Sequence, residues 1–546
     1  MNTWTLQDRN AELDSCCQSG VEVLIIGGGI TGAGILRECA QRGLRALLVE
    51  RDDFASGTSS ASSKLVHGGL RYLEHLNVRL TRDSSRERSL LLKHNPHLIE
   101  RMPFLIVEDR PSWKLRAGLR LYRTLSGERD TGMLSAREWQ EHLPLITQSR
   151  VGAVGQTMEA QIHDARLVLE TLKDARRLGG RAVSRCEVRG FLRNEGRISG
   201  ARLFDRHRNQ TQELRASMVV NATGVAIDRL RRHDVVGPAT VRSAKGTHLV
   251  LPRRALPLNF AVAFPAADRR RLFAYPVQDA LLLGTTDTFV DESTPLHPTS
   301  EERDYLLAGL RRFFPGVGED VWSAWSGVRP LVDPRGANAS ASSRDHRIME
   351  DPSGLLSVAG GKLTTFRLMG EEVVDRILRR MVSARRVQLR PSATAGRPLR
   401  EDSFDYWELI LSLEREFGCA PVDAARLVRT WGEDAYRLLE HQSPNRPQRL
   451  GNTPYYLAEL RWTAQHELAT TLNDVFERRL PIAAFSPQGG EHVVRSAAAA
   501  IGEVLGWDAT EQSRQAERCR ARIRSHYRVH TAPGGSSARR GALRGR

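Results

Sequence analysis

Hydrophobic residues in the first part of the chain occur in short runs, each followed by a glycine-rich turn or a helical pattern. Residues 21–26 are mostly apolar and β-branched, which is typical of a buried parallel strand. Residues 31–42 carry apolar side chains at helical spacing, and Gly43 can end that helix. Residues 45–49 form a second apolar run. This pattern predicts a strand–helix–strand unit of an α/β fold.

Similar patterns return later in the chain. Residues 218–224 read as a strand that runs into a tight glycine turn, and residues 355–359 as a strand before a Gly-Gly turn and an amphipathic helix. Residues 247–251 and 280–283 are further strand-like runs. Residues 458–476 place apolar side chains at helical spacing, which predicts a helical region near the C-terminus.

The first glycine turn has the spacing of a dinucleotide-binding site. Gly27, Gly29 and Gly32 satisfy G-x-G-x-x-G, whose glycines allow a tight turn, close approach to pyrophosphate and close helix–strand packing. Glu50 ends the second run, where an acidic side chain can hydrogen-bond a ribose hydroxyl. The turn alone fits NAD as well as FAD. The later strand–turn units favour FAD, because a Gly-Gly turn that opens a helix can stabilise negative charge on a reduced flavin.

A hydroxyl-rich run follows this unit. Residues 58–72 read Thr-Ser-Ser-Ala-Ser-Ser-Lys-Leu-Val-His-Gly-Gly-Leu-Arg-Tyr, which is poor material for a hydrophobic core. Its hydroxyls, lysine, histidine and closing Arg-Tyr suit a phosphorylated cofactor with a polar substrate held against it.

Composition adds weaker constraints. The chain has 546 residues, 40% of them hydrophobic, and can bury a large core in two or three domains. Its formal net charge of +17 could attract nucleic acid, anionic lipid or an anionic substrate. Arginine is spread along the whole chain, however, and no basic cluster with interleaved aromatics indicates nucleic-acid binding. Six cysteines without C-x-x-C spacing predict neither a disulfide framework nor a metal site, and they fit a reducing cytoplasm.

Two further observations concern membranes. Residues 1–20 lack the apolar region of a signal peptide, and no apolar run approaches the roughly 20 residues of a membrane span. Residues 111–122 combine Trp113 and leucines with lysine and arginine, and such a basic amphipathic stretch can lie at a lipid interface. A packed helix with a solvated basic face is the alternative interpretation.

Eight motifs together resemble one family. They are residues 27–34 (GGGITGAG), 58–74 (TSSASSKLVHGGLRYLE), 91–98 (LLKHNPHL), 245–248 (KGTH), 284–288 (GTTDT), 326–331 (SGVRPL), 343–345 (SRD) and 360–365 (GGKLTT). Over roughly residues 20 to 525 the chain resembles the FAD-dependent, aerobic-type glycerol-3-phosphate dehydrogenases of the D-amino-acid-oxidase-like flavoproteins. The resemblance implies oxidation of sn-glycerol 3-phosphate to dihydroxyacetone phosphate. Electrons would pass to a quinone or, in the related oxidases, to oxygen.

The resemblance also implies a substrate site. Arg71, Arg329 and Arg344 would hold the substrate and its phosphate, because arginine forks match phosphate oxygens. The resemblance also implies a catalytic role for Arg329. Tyr72 and Lys362 would donate hydrogen bonds to the substrate or the flavin.

The base and the FAD contacts complete the expected site. His67 is the first candidate for the base that removes the hydroxyl proton, and His248 is the second. The residues expected to contact FAD are Gly27, Gly29, Gly32, Glu50, Thr58, Ser59, Ser62, Ser63, Lys64, Leu65, Gly69, Gly224, Gly361, Lys362, Leu363 and Thr364.

The expected architecture is α/β, with an FAD-binding Rossmann-like domain interleaved with an α+β substrate domain, and an all-helical C-terminal domain. The helical domain would serve docking or dimerisation. The expected boundaries are an N-terminal extension (1–20), FAD-binding segments (21–90, 155–230 and 350–385), substrate-domain segments (91–154 and 231–349), a linker (386–400), the helical domain (401–530) and a disordered basic tail (531–546).

The leading interpretation is therefore a quinone-dependent enzyme in the cytoplasm, peripherally attached to the inner face of the plasma membrane. An oxidase that uses oxygen shares the same first half-reaction. A nucleic-acid-binding flavoprotein is an alternative of another class, and no nucleic-acid partner is expected. A non-catalytic relative is the fourth alternative. The intact motifs around His67, Arg71, Arg329 and Arg344 argue against it.

Overall fold

The computed structural model describes residues 3–73, 77–234, 239–291, 294–332, 345–382, 390–400, 404–441 and 447–530. Arg344 and the expected basic tail, residues 531–546, lie outside the described residues.

The strands fall into two sheets. In chain order they are β1 (Val21–Ile26), β2 (Ala46–Val49), β3 (Leu65–Val66), β4 (Ile99–Glu108), β5 (Gly132–Met133), β6 (Ala153–Ile162), β7 (Arg181–Val183), β8 (Cys186–Asn194), β9 (Arg197–Asp205), β10 (Gln210–Asn221), β11 (Val241–Pro252), β12 (Ala261–Pro265), β13 (Arg271–Val277), β14 (Ala280–Gly284), β15 (Thr288–Val290), β16 (Ser323–Val332), β17 (His346–Glu350) and β18 (Leu356–Gly360).

The helices cover both sheets and form a separate C-terminal region. In chain order they are α1 (Leu6–Ser19), α2 (Ile30–Gln41), α3 (Leu70–Leu73), α4 (Val78–His94), α5 (Trp113–Ser126), α6 (Ala136–His142), α7 (Asp164–Arg177), α8 (Ile227–Arg231), α9 (Ser300–Arg311), α10 (Phe366–Val382), α11 (Tyr406–Phe417), α12 (Pro421–Trp431), α13 (Asp434–Glu440), α14 (Leu457–His466), α15 (Leu472–Asp474), α16 (Ile482–Phe485), α17 (Val494–Leu505) and α18 (Ala509–His526).

The first sheet is the predicted parallel sheet. Its strand order is β17-β18-β10-β1-β2-β7, parallel from β18 to β7, with β17 antiparallel at the edge. Helices α2, α7 and α10 bury one face through fully covered side chains such as Leu36, Leu169 and Val373. The carboxyl ends of β1, β2 and β10 meet at one edge, where open α/β sheets bind their ligands.

Helix α1 covers the opposite face of the first sheet, together with the ribbon that β8 and β9 form with β10. Leu13 is fully buried there, and the buried Arg9 pairs with Asp205 at 2.6 Å. Trp4 stacks on Phe54 with ring centroids 5.1 Å apart. The described part of the expected N-terminal extension is therefore packed against the first sheet, which together with its covering helices is called the first domain below.

The second sheet has the order β15-β11-β14-β13-β12-β4-β6-β3, with β16 paired to β11 and β5 to β6. Helix α9 packs on it through Leu306 and Leu310. The expected boundaries placed β3 and β6 in FAD-binding segments, but β6 pairs with β4 along its whole length and β3 pairs with β6. The chain after β2 therefore crosses into the second sheet before it returns through α7 to the first.

The C-terminal helices α11–α18 enclose a core of their own that includes Leu427, Trp431 and Phe476. Residues 458–476, which were predicted as part of a helical region, do not form one continuous helix: α14 ends at His466, and Leu468 has a φ of 50°. The Leu468 N–H donates to the Trp4 carbonyl at 2.8 Å, so a contact with the N-terminus replaces a helical hydrogen bond.

The described part of the expected linker, residues 390–400, packs against the first domain. Leu399 is 1% exposed, and its N–H donates to Asn95 Oδ1 at 2.9 Å. Within the described ranges, no helix has both the length and the apolar character needed to cross a membrane.

Candidate active site and cofactor cleft

Close backbone contacts shape the glycine turn after β1. Gly27 has a φ of 115°, and a Cβ there would lie 2.5 Å from the carbonyl oxygen of Ala222. A Cβ on Gly32, in the first turn of α2, would lie 2.0 Å from the Gly27 carbonyl oxygen. Neither position has room for a side chain, so bare backbone forms this wall at the start of α2.

Glu50 supports the turn from the end of β2. One carboxylate oxygen accepts the Gly28 N–H at 2.7 Å, and the other accepts the Asp52 N–H at 2.8 Å. Burial raises the pKa of Glu50 above its ordinary value. The side chain also lines the cavity beside the turn, where it can accept a hydroxyl from a ligand.

The hydroxyl-rich run joins the two sheets. Ser59 Oγ accepts the N–H of Ile30, the first residue of α2, at 3.0 Å. Thr58 Oγ1 donates to the carbonyl of Val328 on β16 at 2.6 Å. This run therefore holds the start of α2 close to the second sheet.

A cavity of about 1540 Å³ extends from the glycine turn to the second sheet. Most residues that the sequence suggested for the site line it. These are Gly27, Gly29, Glu50, Thr58, Ser59, Ser62, Ser63, Leu65, His67, Tyr72, Gly224, Arg329, Gly361, Lys362, Leu363 and Thr364.

Gly32, Lys64, Gly69 and His248 lie outside the described lining of the cavity. The Lys64 ammonium is buried and donates to Asp164 at 2.6 Å and to the Ser60 carbonyl at 3.0 Å. The Lys64 side chain therefore fixes the hydroxyl-rich run by binding Asp164 and the Ser60 carbonyl. The backbone of Arg71 lies at the start of α3, next to Tyr72.

The two candidate histidines have different environments. His67 is half-buried on the cavity wall. His248 is 1% exposed, stacks on Trp325 at 5.2 Å between ring centroids, and shares a 2.9 Å hydrogen bond with Ser63 Oγ. Burial lowers the pKa of His248 well below its ordinary value, with a smaller effect from Arg329. This placement makes His248 a support for Ser63 and argues against it as the base.

Tyr72 and Lys362 meet on the wall beside His67. The Lys362 ammonium lies 3.5 Å from the centroid of the Tyr72 ring, and it donates to Ser84 Oγ at 3.0 Å. The rings of His67 and Tyr72 are 5.8 Å apart between centroids. The turn after β18 and the segment from β3 to α3 therefore bring a cation, a phenol and an imidazole together.

Arg329 on β16 is held in place by neighbouring polar groups. One of its nitrogens lies 3.2 Å from Asp287 Oδ1 and the other 3.3 Å from Thr285 Oγ1. Its side chain is partly buried and borders the cavity. Both contacts orient the guanidinium, which is a requirement for recognising an anion by its geometry.

The structure adds charged residues that sequence reasoning missed. Arg269, Arg270 and Arg271 border the cavity at the start of β13, and Glu159 borders it from β6. Arg270 donates to the Asp287 carbonyl at 3.1 Å, which places it beside the Arg329 pair. The available signal was three successive arginines before an apolar strand. In a chain with so many arginines that signal was weak.

Comparisons with known proteins find matches for both the two-sheet part and the helical part of the chain. A family model described as FAD dependent oxidoreductase matches residues 22–376, and one described as C-terminal domain of alpha-glycerophosphate oxidase matches residues 394–512. The aerobic glycerol-3-phosphate dehydrogenase of Bacillus subtilis (strain 168) is 33% identical over 494 residues, which cover 86% of this chain and 89% of the relative. The enzyme of that name from Staphylococcus saprophyticus is 35% identical over 481 residues, 84% of this chain and 86% of the relative.

The chain belongs to the FAD-dependent glycerol-3-phosphate dehydrogenase family.

Solved structures agree with this assignment. The glycerol-3-phosphate dehydrogenase from Bacillus halodurans complexed with FAD superimposes with a TM-score of 0.78 at 29% identity, covering 96% of this chain and 98% of that one. L-alpha-glycerophosphate oxidase from Mycoplasma pneumoniae with FAD bound shares the fold, with a TM-score of 0.56 at 19% identity over 68% of this chain and 96% of that one. The predicted combination of a Rossmann-like sheet with a helical C-terminal domain is thereby confirmed.

FAD is the cofactor of this family, and the residues present fit it. The turn at Gly27 and Gly32 leaves no room for a Cβ, which is what a closely approaching pyrophosphate requires. The start of α2 would favour the phosphate charge, and Glu50 would hold a ribose hydroxyl. The hydroxyl-rich run and the turn at Gly361 would border the rest of the cofactor.

Proposed function

We propose that the protein oxidises sn-glycerol 3-phosphate to dihydroxyacetone phosphate, with FAD as the oxidant and a quinone as the final electron acceptor. The observation that supports this most is that one cavity joins the dinucleotide turn to a wall with His67, Lys362 and Arg329. A hydroxyl-bearing phosphate monoester requires both a base and fixed cations, and this wall offers them. The relatives named aerobic glycerol-3-phosphate dehydrogenase support the same substrate.

The phosphate would bind near Arg329. Asp287 and Thr285 already hold the guanidinium in one orientation, so little side-chain freedom is lost when an anion binds. Arg270, which contacts the Asp287 carbonyl, adds a second cation on the same side of the cavity. A neutral triol such as glycerol would gain nothing from these charges.

His67 would remove the proton of the C2 hydroxyl. When bound, FAD supplies the acceptor for the hydride that leaves C2. Loss of the hydroxyl proton and of the hydride on C2 converts the alcohol to a ketone, so the step is balanced. Lys362 and Tyr72 would donate hydrogen bonds to the substrate oxygen or the cofactor from beside His67. The imidazole suits its role because its ordinary pKa lies near physiological pH.

Turnover by the purified, FAD-loaded protein tests the reaction and its acceptor. We expect sn-glycerol 3-phosphate to give dihydroxyacetone phosphate with a soluble quinone analogue, and oxygen to support a much slower reaction. Hydrogen peroxide formed in air as fast as the quinone is reduced would favour the oxidase alternative. If neither acceptor yields the ketone, the proposed substrate is wrong.

We also propose that the protein attaches peripherally to the inner, anionic face of the plasma membrane through α5. Trp113 and Leu121 on this helix are 75% and 44% exposed. Lys114, Arg116 and Arg120 lie on the same helix, so its charge complements an anionic lipid surface. Trp113, Lys114 and Leu121 also border the cavity. A quinone dissolved in the bilayer would then be close to the flavin.

Co-sedimentation with lipid vesicles tests this attachment. The protein should bind phosphatidylglycerol-containing vesicles at low salt and bind phosphatidylcholine vesicles weakly. Trp113→Ala should reduce binding several-fold. Trp407→Ala is the matched control, because Trp407 is also exposed, at 70%, but lies on α11 of the helical domain. Equal binding by both variants and the unchanged protein would exclude α5 as the attachment site.

A further inference from the structure

A buried glutamate that borders the cavity also contacts the segment that carries His67. Glu159 on β6 is 5% exposed, and it accepts hydrogen bonds from three separate parts of the chain. The donors are the Gly68 N–H at 2.8 Å, the Arg88 guanidinium of α4 at 2.8 Å, and the Tyr122 hydroxyl of α5 at 3.2 Å. The position next to the proposed base therefore has its backbone N–H fixed by a buried carboxyl group.

Gly68 is closely packed against α4 and α5. Its carbonyl accepts the Ser85 hydroxyl at 3.1 Å, so both polar groups of the residue are engaged. A Cβ at this position would lie 2.0 Å from the Tyr122 hydroxyl, which shows how tightly the backbone is pressed against α5. Just before it, Val66 pairs with Ala160 of β6. His67 therefore sits between a paired strand and a clamped glycine.

The charges around Glu159 indicate a supporting role for it. Arg88 is fully buried and lies 2.8 Å from Glu159 and 3.2 Å from Glu128, and Arg101 also pairs with Glu128. Burial raises the pKa of Tyr122, so the phenol keeps its proton and donates to the carboxylate. Burial raises the pKa of Glu159, and Arg88 acts against that rise. With three donors around it, Glu159 is arranged to hold its neighbours in place.

We propose that Glu159 is a positioning residue for the reaction: by holding the Gly68 peptide, it sets where the His67 imidazole meets the substrate hydroxyl. This inference rests on the proposed function, because it takes His67 to be the base. A displacement of about 1 Å at a reacting group can cost roughly 100-fold in rate. The rate of flavin reduction should therefore depend on Glu159 although the carboxylate need not touch the substrate.

The first experiment compares two buried glutamates of similar surroundings. Glu159→Ala should lower the rate constant of anaerobic flavin reduction by about 10- to 100-fold, with substrate and FAD affinities nearly unchanged. Glu159→Gln should restore most of that loss, because the amide oxygen can still accept the Gly68 N–H. Glu459→Ala is the control. Glu459 is fully buried in the helical domain and also binds an arginine, a backbone N–H and an aromatic donor.

A double-mutant cycle separates positioning from general damage. If Glu159 acts through His67, Glu159→Ala should change the rate less than about 2-fold in the His67→Asn background. A full additional loss in that background would overturn the proposal. So would wild-type rates in Glu159→Ala, or an equal loss in Glu459→Ala.

A milder variant keeps the test decisive if Glu159→Ala fails to fold. Ser85→Ala removes the hydrogen bond to the Gly68 carbonyl from a small side chain, and it should slow flavin reduction several-fold with substrate affinity unchanged. A wild-type rate in Ser85→Ala would then overturn the proposal. A wild-type protein that the substrate does not reduce would instead refute the proposed function itself.

Discussion

At the scale of single residues, the two histidines show how burial separates side chains of the same chemical type. His67 borders the cavity beside Tyr72, whereas His248 is enclosed between Ser63 and Trp325. A base must reach the substrate and return its proton to solvent, which a fully enclosed imidazole cannot do readily. The structure therefore supports His67 for this role.

Replacing each histidine tests this distinction. His67→Asn should slow flavin reduction by about 100- to 10,000-fold, because a positioned base typically contributes that much. FAD binding should be unchanged, since the His67 side chain is not needed to shape the glycine turn. His248→Asn should have the smaller effect, and stopped-flow absorbance on both variants measures it. A larger loss of the flavin-reduction rate in His248→Asn would identify His248 as the base.

His248 also predicts a dependence of stability on pH. Its pKa in the folded protein lies well below the ordinary value of 6.5, so it stays neutral when folded and takes up a proton on unfolding in mild acid. The unfolded chain then binds more protons, and stability is lost as the pH falls below 6.5.

This contribution can be isolated by denaturant unfolding between pH 7 and pH 5. His248→Asn should reduce the slope of unfolding free energy against pH by up to about 1.4 kcal/mol per pH unit. His441→Asn, which changes an exposed histidine, should leave the slope as it is. An unaltered slope in His248→Asn would show that the imidazole is not held neutral in the fold.

The sequence alone could predict those site residues that belong to local motifs. Gly27 and Glu50 belong to one strand–helix–strand unit, so their spacing along the chain already predicts a shared wall. Glu159 and Arg270 reach the same cavity because β4, β6 and β13 join one sheet. That pairing connects distant parts of the chain, so it leaves no local pattern around Glu159 and only the weak signal of three successive arginines around Arg270.

At the scale of elements, the helical domain is connected to the cofactor turn by buried charges. Asp53, just after Glu50, binds both Arg478 and Arg479, and the Arg478 contact is 2.6 Å. These arginines belong to the π-helical turn Val475–Arg479, and Arg479 also donates to the Glu467 carbonyl at 2.7 Å. The domain whose sequence gave no chemical signal thus holds the turn that carries Glu50.

Arg479→Met tests that connection. Because it leaves Asp53 with one partner less in a buried site, we expect a loss of about 3–5 kcal/mol in unfolding free energy. FAD affinity should fall as well, because the turn beside Glu50 loosens. Arg426→Met removes a comparable buried pair with Glu459 inside the helical domain, and it should lower stability without weakening FAD. Flavin fluorescence titration of the apoproteins measures this, and equal FAD affinities would contradict the connection.

The break in the helix after α14 is a feature that helical spacing in the sequence does not predict. The apolar spacing of residues 458–476 is real, and its members are buried. Yet Glu467 lies against Arg166 of α7, and Leu468 binds the N-terminal backbone at Trp4. Contacts with the first domain decide the local conformation, and helical periodicity carries no information about them.

At the scale of the whole molecule, the two sheets form one site because the chain passes between them repeatedly. Segments from β1, β3, β16 and β18 reach the same cavity. The high arginine content is partly internal, since Arg9, Arg88, Arg166 and Arg479 are among the largest fully buried side chains. These arginines pair with carboxylates, so they stabilise the fold and do not add to a surface for nucleic acid.

The most direct test of the account is an anaerobic mixing experiment with the FAD-loaded protein. sn-Glycerol 3-phosphate should bleach the visible flavin absorbance rapidly, whereas glycerol and the enantiomer sn-glycerol 1-phosphate should leave it intact. This result would show that the cavity oxidises a phosphate monoester of the expected handedness. An FAD-replete protein that keeps its flavin oxidised with sn-glycerol 3-phosphate would contradict the proposed function.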